Sequence, residues 1–347
     1  MICIDGSAKS GSGTIVRYAV ALSSLLGEDL HITNIRAKRD KPGLRPQHLA
    51  SVTACARMCD ARVEGAEVKS GEIVYKPGRR RIKGGYYRWE IGTAGSTTLL
   101  TMTLLPLALF AEKETTLEIS GGLFQDFAPS AHHMQHILFP ILRKMGIEAE
   151  LTIIRPGYVP KGGGIIKVKI APVDNGIKPL QLLTQGKIKQ ISGLALSSHL
   201  REKNVSQRMA EECQKTLARN GYRAKIETLW DETALQAGAS LSVWAQTDPG
   251  CLLGSNQAGK RGRSSEDIGR HVARNLLEDL MTGATVDRYL ADQLIIYAAL
   301  ARGATEYVIP CTTEHVATNL WLVEKVGASV RLEDNNLYIE GLGYTGR

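Results

Sequence analysis

No Cys-x-x-Cys pair occurs in this chain, although six cysteines stand at positions 3, 55, 59, 213, 251 and 311. Structural zinc sites draw on such pairs or on matched histidines, and no histidine cluster completes a site here. Cys55 and Cys59 lie four apart, on one face of a predicted helix. The expectation is reduced core thiols in a cytoplasmic protein, with no metal held by protein side chains. No export signal is seen, since Asp5 falls where a signal peptide would be apolar. The longest apolar run, 98–111, is interrupted by Pro106 and is shorter than the roughly 20 residues that span a bilayer, so no membrane partner is expected. A Walker lysine is missing too. In the glycine-rich stretch from Asp5 to Gly13, Ser12 occupies the lysine position, six residues after Gly6.

What is present is a chain of 347 residues, 43% apolar and 22% charged, enough for a large core spread over two or three subdomains. Its net charge of +8 favours an anionic partner such as a nucleic acid or nucleotide. A pattern recurs at intervals of about 80 residues: long helix, short strand, second helix, two strands. The first copy has helices at 14–26 and 46–59, the second at 96–112 and 128–145, the third at 286–301 and 314–326. Strands are expected at 31–35, 63–68 and 72–77, then at 115–120, 148–153 and 165–170, then at 305–310, 328–333 and 335–340. The third copy takes 191–198 as its opening strand and is then interrupted by another strand–helix pattern, with helices at 205–220 and 266–281 and strands at 224–230 and 240–246. The mixed order of helices and paired strands argues for α+β or α/β repeats and against one doubly wound sheet: three βαβαββ-like repeats packed together, 1–185 with 282–347, and a smaller inserted α/β domain at 186–281 in the third repeat.

The stretch 289–319 carries most of the chemistry. Tyr289, Asp292 and Gln293 share one helix face by their three- and four-residue spacing. His315 falls in or just before the first turn of the next helix, where the positive end of the helix dipole disfavours imidazolium. A neutral imidazole is a competent nucleophile, and the facing helix start is suited to holding a ring and a sugar. A capping or surface histidine satisfies the same spacing.

Other stretches carry weaker signals. Between Arg36 and Arg45, five cations fall within ten residues on a loop leading into a helix, an arrangement that suits phosphate as well as solvent. The segment 78–89 mixes Arg79, Arg80, Arg81 and Lys83 with Tyr86, Tyr87 and Trp89, which fits either single-stranded RNA or a solvated hairpin. Gly92 to Thr98 is a second strand-to-helix loop. His132, His133 and His136 have no carboxylate at ligand spacing and are expected at the helix surface or facing RNA. The three glycines 162–164 serve a tight turn or close approach of backbone, and the basic turn 259–263 is expected to be solvated.

Tyr289-Leu-Ala-Asp-Gln-Leu294, His315-x-x-Thr-Asn319, Lys41-Pro-Gly-Leu-x-x-Gln-His-Leu49 and Pro160-Lys-Gly-Gly-Gly164 together resemble the RNA 3'-terminal phosphate cyclase family. The resemblance spans almost the whole chain and is weakest in the insertion. That family is built of three such repeats with a smaller inserted domain. The resemblance implies that His315 attacks ATP and becomes covalently adenylylated, that AMP passes to an RNA 3'-phosphate, and that a 2',3'-cyclic phosphate forms. It implies nucleotide binding by Tyr289, Leu290, Ala291, Asp292, Gln293, Pro129 and Met102, with adenine between Pro129 and Tyr289. It implies phosphate or RNA binding by Arg17, Arg36, Arg39, Lys41, Arg45, Gln47 and His48. ATP and an RNA with a 3'-phosphate end would be the partners, with magnesium or manganese held mainly through nucleotide phosphates. The oligomeric state is left open, a homodimer included. Two positions depart from the family: Ser10 replaces a glutamate associated with the metal, and Met102 a nucleotide-contacting glutamine. Three other readings stand beside this one. They are a non-catalytic RNA-binding relative acting in ribosome biogenesis, which would lack the histidine, an enzyme resembling enolpyruvyl transferases, and a basic nucleic-acid module without ATP use.

Overall fold

The computed structural model describes residues 1–78 and 81–346. Arg79 and Arg80, part of the cation–aromatic segment, lie outside the described residues. The architecture is mixed α and β, in keeping with the α+β expectation, and the described residues form four four-stranded sheets.

The first sheet is formed by β1 (Ile2–Asp5), β2 (Leu30–Thr33), β3 (Arg62–Glu64) and β4 (Ile73–Lys76), in the order β1-β2-β4-β3. Between its strands run α1 (Gly13–Leu26) and α2 (Pro46–Cys59). The second sheet contains β5 (Gly85–Glu90), β6 (Thr115–Gly121), β7 (Ala149–Arg155) and β8 (Gly164–Ile170), in the order β5-β6-β8-β7. It carries α3 (Thr97–Leu109), then α4 (Ala131–His133), which runs through a π-helical turn, Met134–Leu138, into α5 (Phe139–Lys144).

The two-residue β9 (Gln181–Leu182) leads to the sheet formed by β10 (Ile188–Ser198), β11 (Ala224–Asp231), β12 (Gly238–Thr247) and β13 (Leu252–Ala258), in the order β11-β10-β12-β13. Helices α6 (Val205–Ala218) and α7 (Ser265–Met281) belong to it. The chain then passes through α8 (Leu290–Gln293), α9 (Ile295–Leu300), β14 (Ala304–Val308), α10 (Glu314–Glu324), β15 (Ser329–Glu333) and β16 (Asn336–Glu340). The fourth sheet has the order β15-β16-β14-β9.

Three of these sheets share one pattern, a parallel pair followed by two antiparallel steps: β1-β2-β4-β3, β5-β6-β8-β7 and β9-β14-β16-β15. The expected opening strand of the third copy, 191–198, is not in that sheet. It lies within β10 and pairs with β11 and β12, while the opening position is taken by β9. A two-residue strand leaves no periodic signal, whereas the apolar run 191–198 does. The helix expected at 286–301 is divided into α8 and α9, and the one at 128–145 begins only after the Ser130 cap.

Helix α1 is central. It is buried along nearly its whole length and packs against α2, α3 and α10. Ser12, Ser96, Ser130, Ser264 and Thr313 cap α1, α3, α4, α7 and α10 through their hydroxyls. Such caps contribute about 1 kcal/mol each and fix where the chain turns into the helix. The β10–β13 sheet docks on the rest through Ser130–Ser242 at 3.1 Å, Tyr158–Ser198 at 2.9 Å and His136 stacked on Trp244 at 4.4 Å between ring centroids. This docking corrects the expectation of helix-surface or RNA-facing groups for two of the three histidines, His132 and His133. His132 and His133 are buried, and His136 is covered on one face by Trp244. No helix among the described residues is long and apolar enough to cross a membrane.

Candidate active site

The starts of three helices converge. Gly13 opens α1 against the His48 ring of α2; a Cβ at Gly13 would lie 2.0 Å from His48 Nε2, so only glycine permits this approach. The Arg45 backbone N–H donates to His48 Nδ1 at 3.2 Å, which places the ring proton on Nε2. Burial, reinforced by Arg17, Arg36 and Arg45, holds His48 well below the ordinary histidine range, so it is neutral. Ser10 joins the glycine-rich loop to α10. Its backbone N–H donates to Thr318 Oγ1 at 3.3 Å, and the Thr318 hydroxyl donates to Ser10 Oγ at 2.9 Å.

Beside this junction lies a cleft of about 420 Å³. Thr14 and Arg17 reach it from α1, Leu99 and Met102 from α3, and Asp126 to Pro129 from the loop before α4. Tyr289, Asp292 and Gln293 reach it from the α8 turn and His315 from α10. His315 is exposed at the rim, on the second residue of α10, one after Glu314 and two after the Thr313 cap. Desolvation by the surrounding protein, then the Arg17 and Arg39 charges, hold its basicity below the ordinary value, and the helix dipole acts in the same sense. Arg17 is buried and its guanidinium donates to Thr14 Oγ1 at 3.1 Å. Burial pushes the Asp292 carboxyl up to about 7, against the pull of Arg17. Asn319 Nδ2 donates to the Asp292 carbonyl at 3.0 Å and to its carboxylate at 3.3 Å. Gln293 is buried, and neither polar atom of its amide has a partner among the described residues. A buried amide left so costs roughly 1–3 kcal/mol, which a bound ligand would relieve.

Of the expected nucleotide-binding residues, Tyr289, Asp292, Gln293, Pro129 and Met102 line this cleft together with His315. Leu290 and Ala291 do not. The helical turn directs them into the core, where the Ala291 carbonyl accepts from the Tyr307 hydroxyl at 2.9 Å. Arg17 lines the cleft, whereas the residues of the 36–48 segment do not; Arg39 lowers the basicity of His315, and Arg36 and Arg45 that of His48. Arg36 donates to the Lys41 and Gly43 carbonyls and so pins its own loop. Arg39 and Lys41 are exposed, Arg45 precedes α2, and Gln47 sits near Gly95 of the second strand-to-helix loop.

Several residues of the site carry no local sequence signal. Asn256, Gln257 and His271 come from β13 and α7 of another sheet. Arg263, in a turn expected to be solvated, forms a two-pronged ion pair at 2.9 Å for each bond with Asp126, which lines the cleft. In the 81–89 segment Tyr86 and Arg88 both engage Glu118, and Arg57 lies over Tyr87 and Trp89. No group of three or more His, Cys, Asp or Glu side chains placed to hold a metal occurs among the described residues. Ser10 supplies no carboxylate, and its hydroxyl is committed to Thr318 and Ser12.

A mixed α/β scaffold carries an open-mouthed cleft that brings the buried Arg17 together with histidine, aspartate and a glutamine without an amide partner among the described residues, an arrangement suited to an anionic ligand with a planar, hydrogen-bonding part. The family model described as RNA 3'-terminal phosphate cyclase matches residues 8–331. The chain belongs to the RNA 3'-terminal phosphate cyclase family, and hence among ligase enzymes. Proteins of that name from Pyrococcus furiosus and Pyrobaculum neutrophilum are similar to it. The first is 38% identical over 94% of this chain and 93% of its own length. The second is 35% identical over 98% of this chain and 99% of its own. The Archaeoglobus fulgidus protein is 37% identical, over 98% of this chain and all of its own length. An EPSP synthase structure from Acinetobacter baumannii aligns with 98% of this chain and 64% of its own, but a TM-score of 0.24 at 12% identity carries no weight for fold or function.

Proposed function

We propose that the chain converts an RNA 3'-terminal phosphate to a 2',3'-cyclic phosphate at the expense of ATP, with His315 as the covalent carrier of AMP. The observation that carries this reading is that a histidine held neutral shares one cleft with Tyr289, Pro129, Asp292 and Gln293. Adenine lies between the Tyr289 ring and Pro129, with the Gln293 amide free to bond its edge or its ribose. An imidazole nitrogen of His315 attacks the α-phosphorus, a P–N bond forms and pyrophosphate leaves. An oxygen of the RNA 3'-phosphate then takes the adenylyl group, and the P–N bond breaks. The adjacent 2'-OH attacks the activated phosphorus, gives up its proton, and AMP departs. Three displacements, each with a good leaving group, replace one difficult condensation. Arg17, with Arg39 nearby, neutralises charge on the phosphates.

Magnesium or manganese would arrive on the nucleotide phosphates and supply charge neutralisation there; among the described residues no group of three or more His, Cys, Asp or Glu side chains is placed to hold it. The same reading divides the chain into a body of three repeats, 1–185 with 282–347, and an insertion, 186–281, and places the whole protein in the cytoplasm.

Incubating the chain with ATP and an RNA bearing a 3'-phosphate should yield ends that resist phosphatase until the cyclic ester is opened with acid. Ends that stay phosphatase-sensitive, with ATP unconsumed, contradict the reading. The pH dependence is also fixed in sign. The nucleophile is the neutral ring and its basicity is depressed. The single-turnover rate of adenylylation should therefore rise with pH and reach half its plateau below 6.5, the ordinary histidine value.

A further inference from the structure

Phe127 is the residue that folding and packing leave unexplained. Its side chain is fully exposed, at 104% of the reference area. Its backbone has φ +67, the left-handed region that a bulky residue avoids. Yet it lines the cleft, two residues before Pro129. The loop around it is held firmly. Asp126 takes both prongs of Arg263 at 2.9 Å, and the Pro129 carbonyl accepts from Thr98 Oγ1 at 2.7 Å. Ser130 caps the following helix and meets Ser242. An apolar ring presented to water on a strained, anchored loop is arranged for something that arrives later.

We infer that Phe127 is a stacking platform for the base of the RNA's 3'-terminal nucleotide, a subsite separate from the adenine grip. This inference rests on the cyclisation reading above. In that reaction the cleft takes two substrates in succession, and each brings a base. Tyr289 and Pro129 serve the nucleotide deeper in the cleft, and Phe127 remains at its mouth, where the RNA end must enter to reach His315. Unpaired bases at RNA ends are held by stacking on aromatic rings, and such stacking accepts every base.

The test uses the full chain and four variants. Phe127→Ala should leave the rate of His315 adenylylation by ATP unchanged and raise KM for a 3'-phosphate RNA about tenfold, the size of a base–aromatic contact. Phe127→Trp should restore the parent KM, and Phe127→Leu should not. Phe127→Gly relieves the left-handed strain, so it should be at least as stable as the parent while showing the alanine defect. With an RNA whose terminal nucleotide lacks its base, the parent should already show the raised KM and Phe127→Ala should add nothing. An unchanged KM in Phe127→Ala overturns the inference. So does an equal fall in adenylylation, which would put the ring in the ATP grip. So does a tenfold effect that persists on the base-less RNA. If the chain takes no label from ATP, the cyclisation reading has failed on its own account. The subsite is then judged by RNA affinity in fluorescence anisotropy, where tenfold weakening supports it and no change refutes it.

Discussion

Replacing Arg17 with methionine should lower single-turnover adenylylation by about 10²–10³-fold, the usual loss when one preorganised charge is removed from a reacting phosphate or oxyanion. Three properties make this residue decisive. It is buried, so its charge acts through little water. Its guanidinium has no carboxylate within ion-pair distance among the described residues, only the Thr14 hydroxyl, so it is free to meet phosphate. And its field reaches three other groups, helping to keep His315 and His48 neutral and pulling down the Asp292 carboxyl. The pH profile separates the electrostatic role from a structural one. Without Arg17 the His315 limb should move towards higher pH, as the ring regains basicity. A variant with parent-like rate and an unshifted limb would remove Arg17 from the account.

Asp287→Ala should destabilise the chain by about 3–5 kcal/mol, the cost of breaking a fully buried charged cluster. Asp287 is completely buried and accepts from the Gly254 N–H at 2.9 Å, from the Tyr289 and Leu290 N–H groups at 2.8 Å each, and from His133 Nε2 at 3.2 Å. Its removal strands donors on β13, α4 and α8 at once. The His133 ring also meets Tyr289 edge-on, at 5.9 Å between centroids. The same carboxylate therefore fixes the aromatic face assigned to adenine, and KM for ATP should rise in Asp287→Asn, which keeps the shape and loses the charge. Burial alone would raise this carboxyl, but His133 and the N–H donors outweigh it and hold it below the ordinary value of 3.8. Its contribution is thus present above pH 3.8 and is lost as pH falls through the depressed folded-state value. Denaturant midpoints and ATP kinetics measure both effects. Unaltered stability in Asp287→Ala would contradict the assignment.

Much of the fold was legible where periodicity was strong. Helix 46–59 falls on the residues expected, because Pro46 fixes its first turn and the αL residue Asp60 ends it. Helix α1 begins one residue before its expected start, for Ser12 caps it where the glycines end. The strand at 252–258 went unread because Gly254, Ser255 and Asn256 carry no β signal of their own; it is pairing with β12 that makes them a strand. The burial of His132 and His133 is hidden from the sequence for a related reason. Polar residues on a helix read as solvent-facing unless a distant sheet covers them, and no local pattern announces the β10–β13 sheet at that place. In the site, helical spacing and a helix start point to Tyr289, Asp292, Gln293 and His315, whereas Pro129 and Met102 are reached only through the family resemblance. Asn256, Gln257, His271 and the Arg263–Asp126 pair depend on docking between elements far apart in the chain. The left-handed turn at Phe127 is equally silent, since a phenylalanine gives no warning of positive φ.

The central claim is that the His315 ring carries AMP. Incubation with α-labelled ATP, followed by denaturation in alkali, proteolysis and mapping of the labelled peptide, tests it most directly, since a phosphoramidate survives base and is lost in acid. The account predicts label on the peptide containing His315, released as AMP by RNA with a 3'-phosphate but not by the same RNA with a 3'-hydroxyl, and no label in His315→Ala. Label that persists in His315→Ala, or a folded parent chain that takes none, would contradict it.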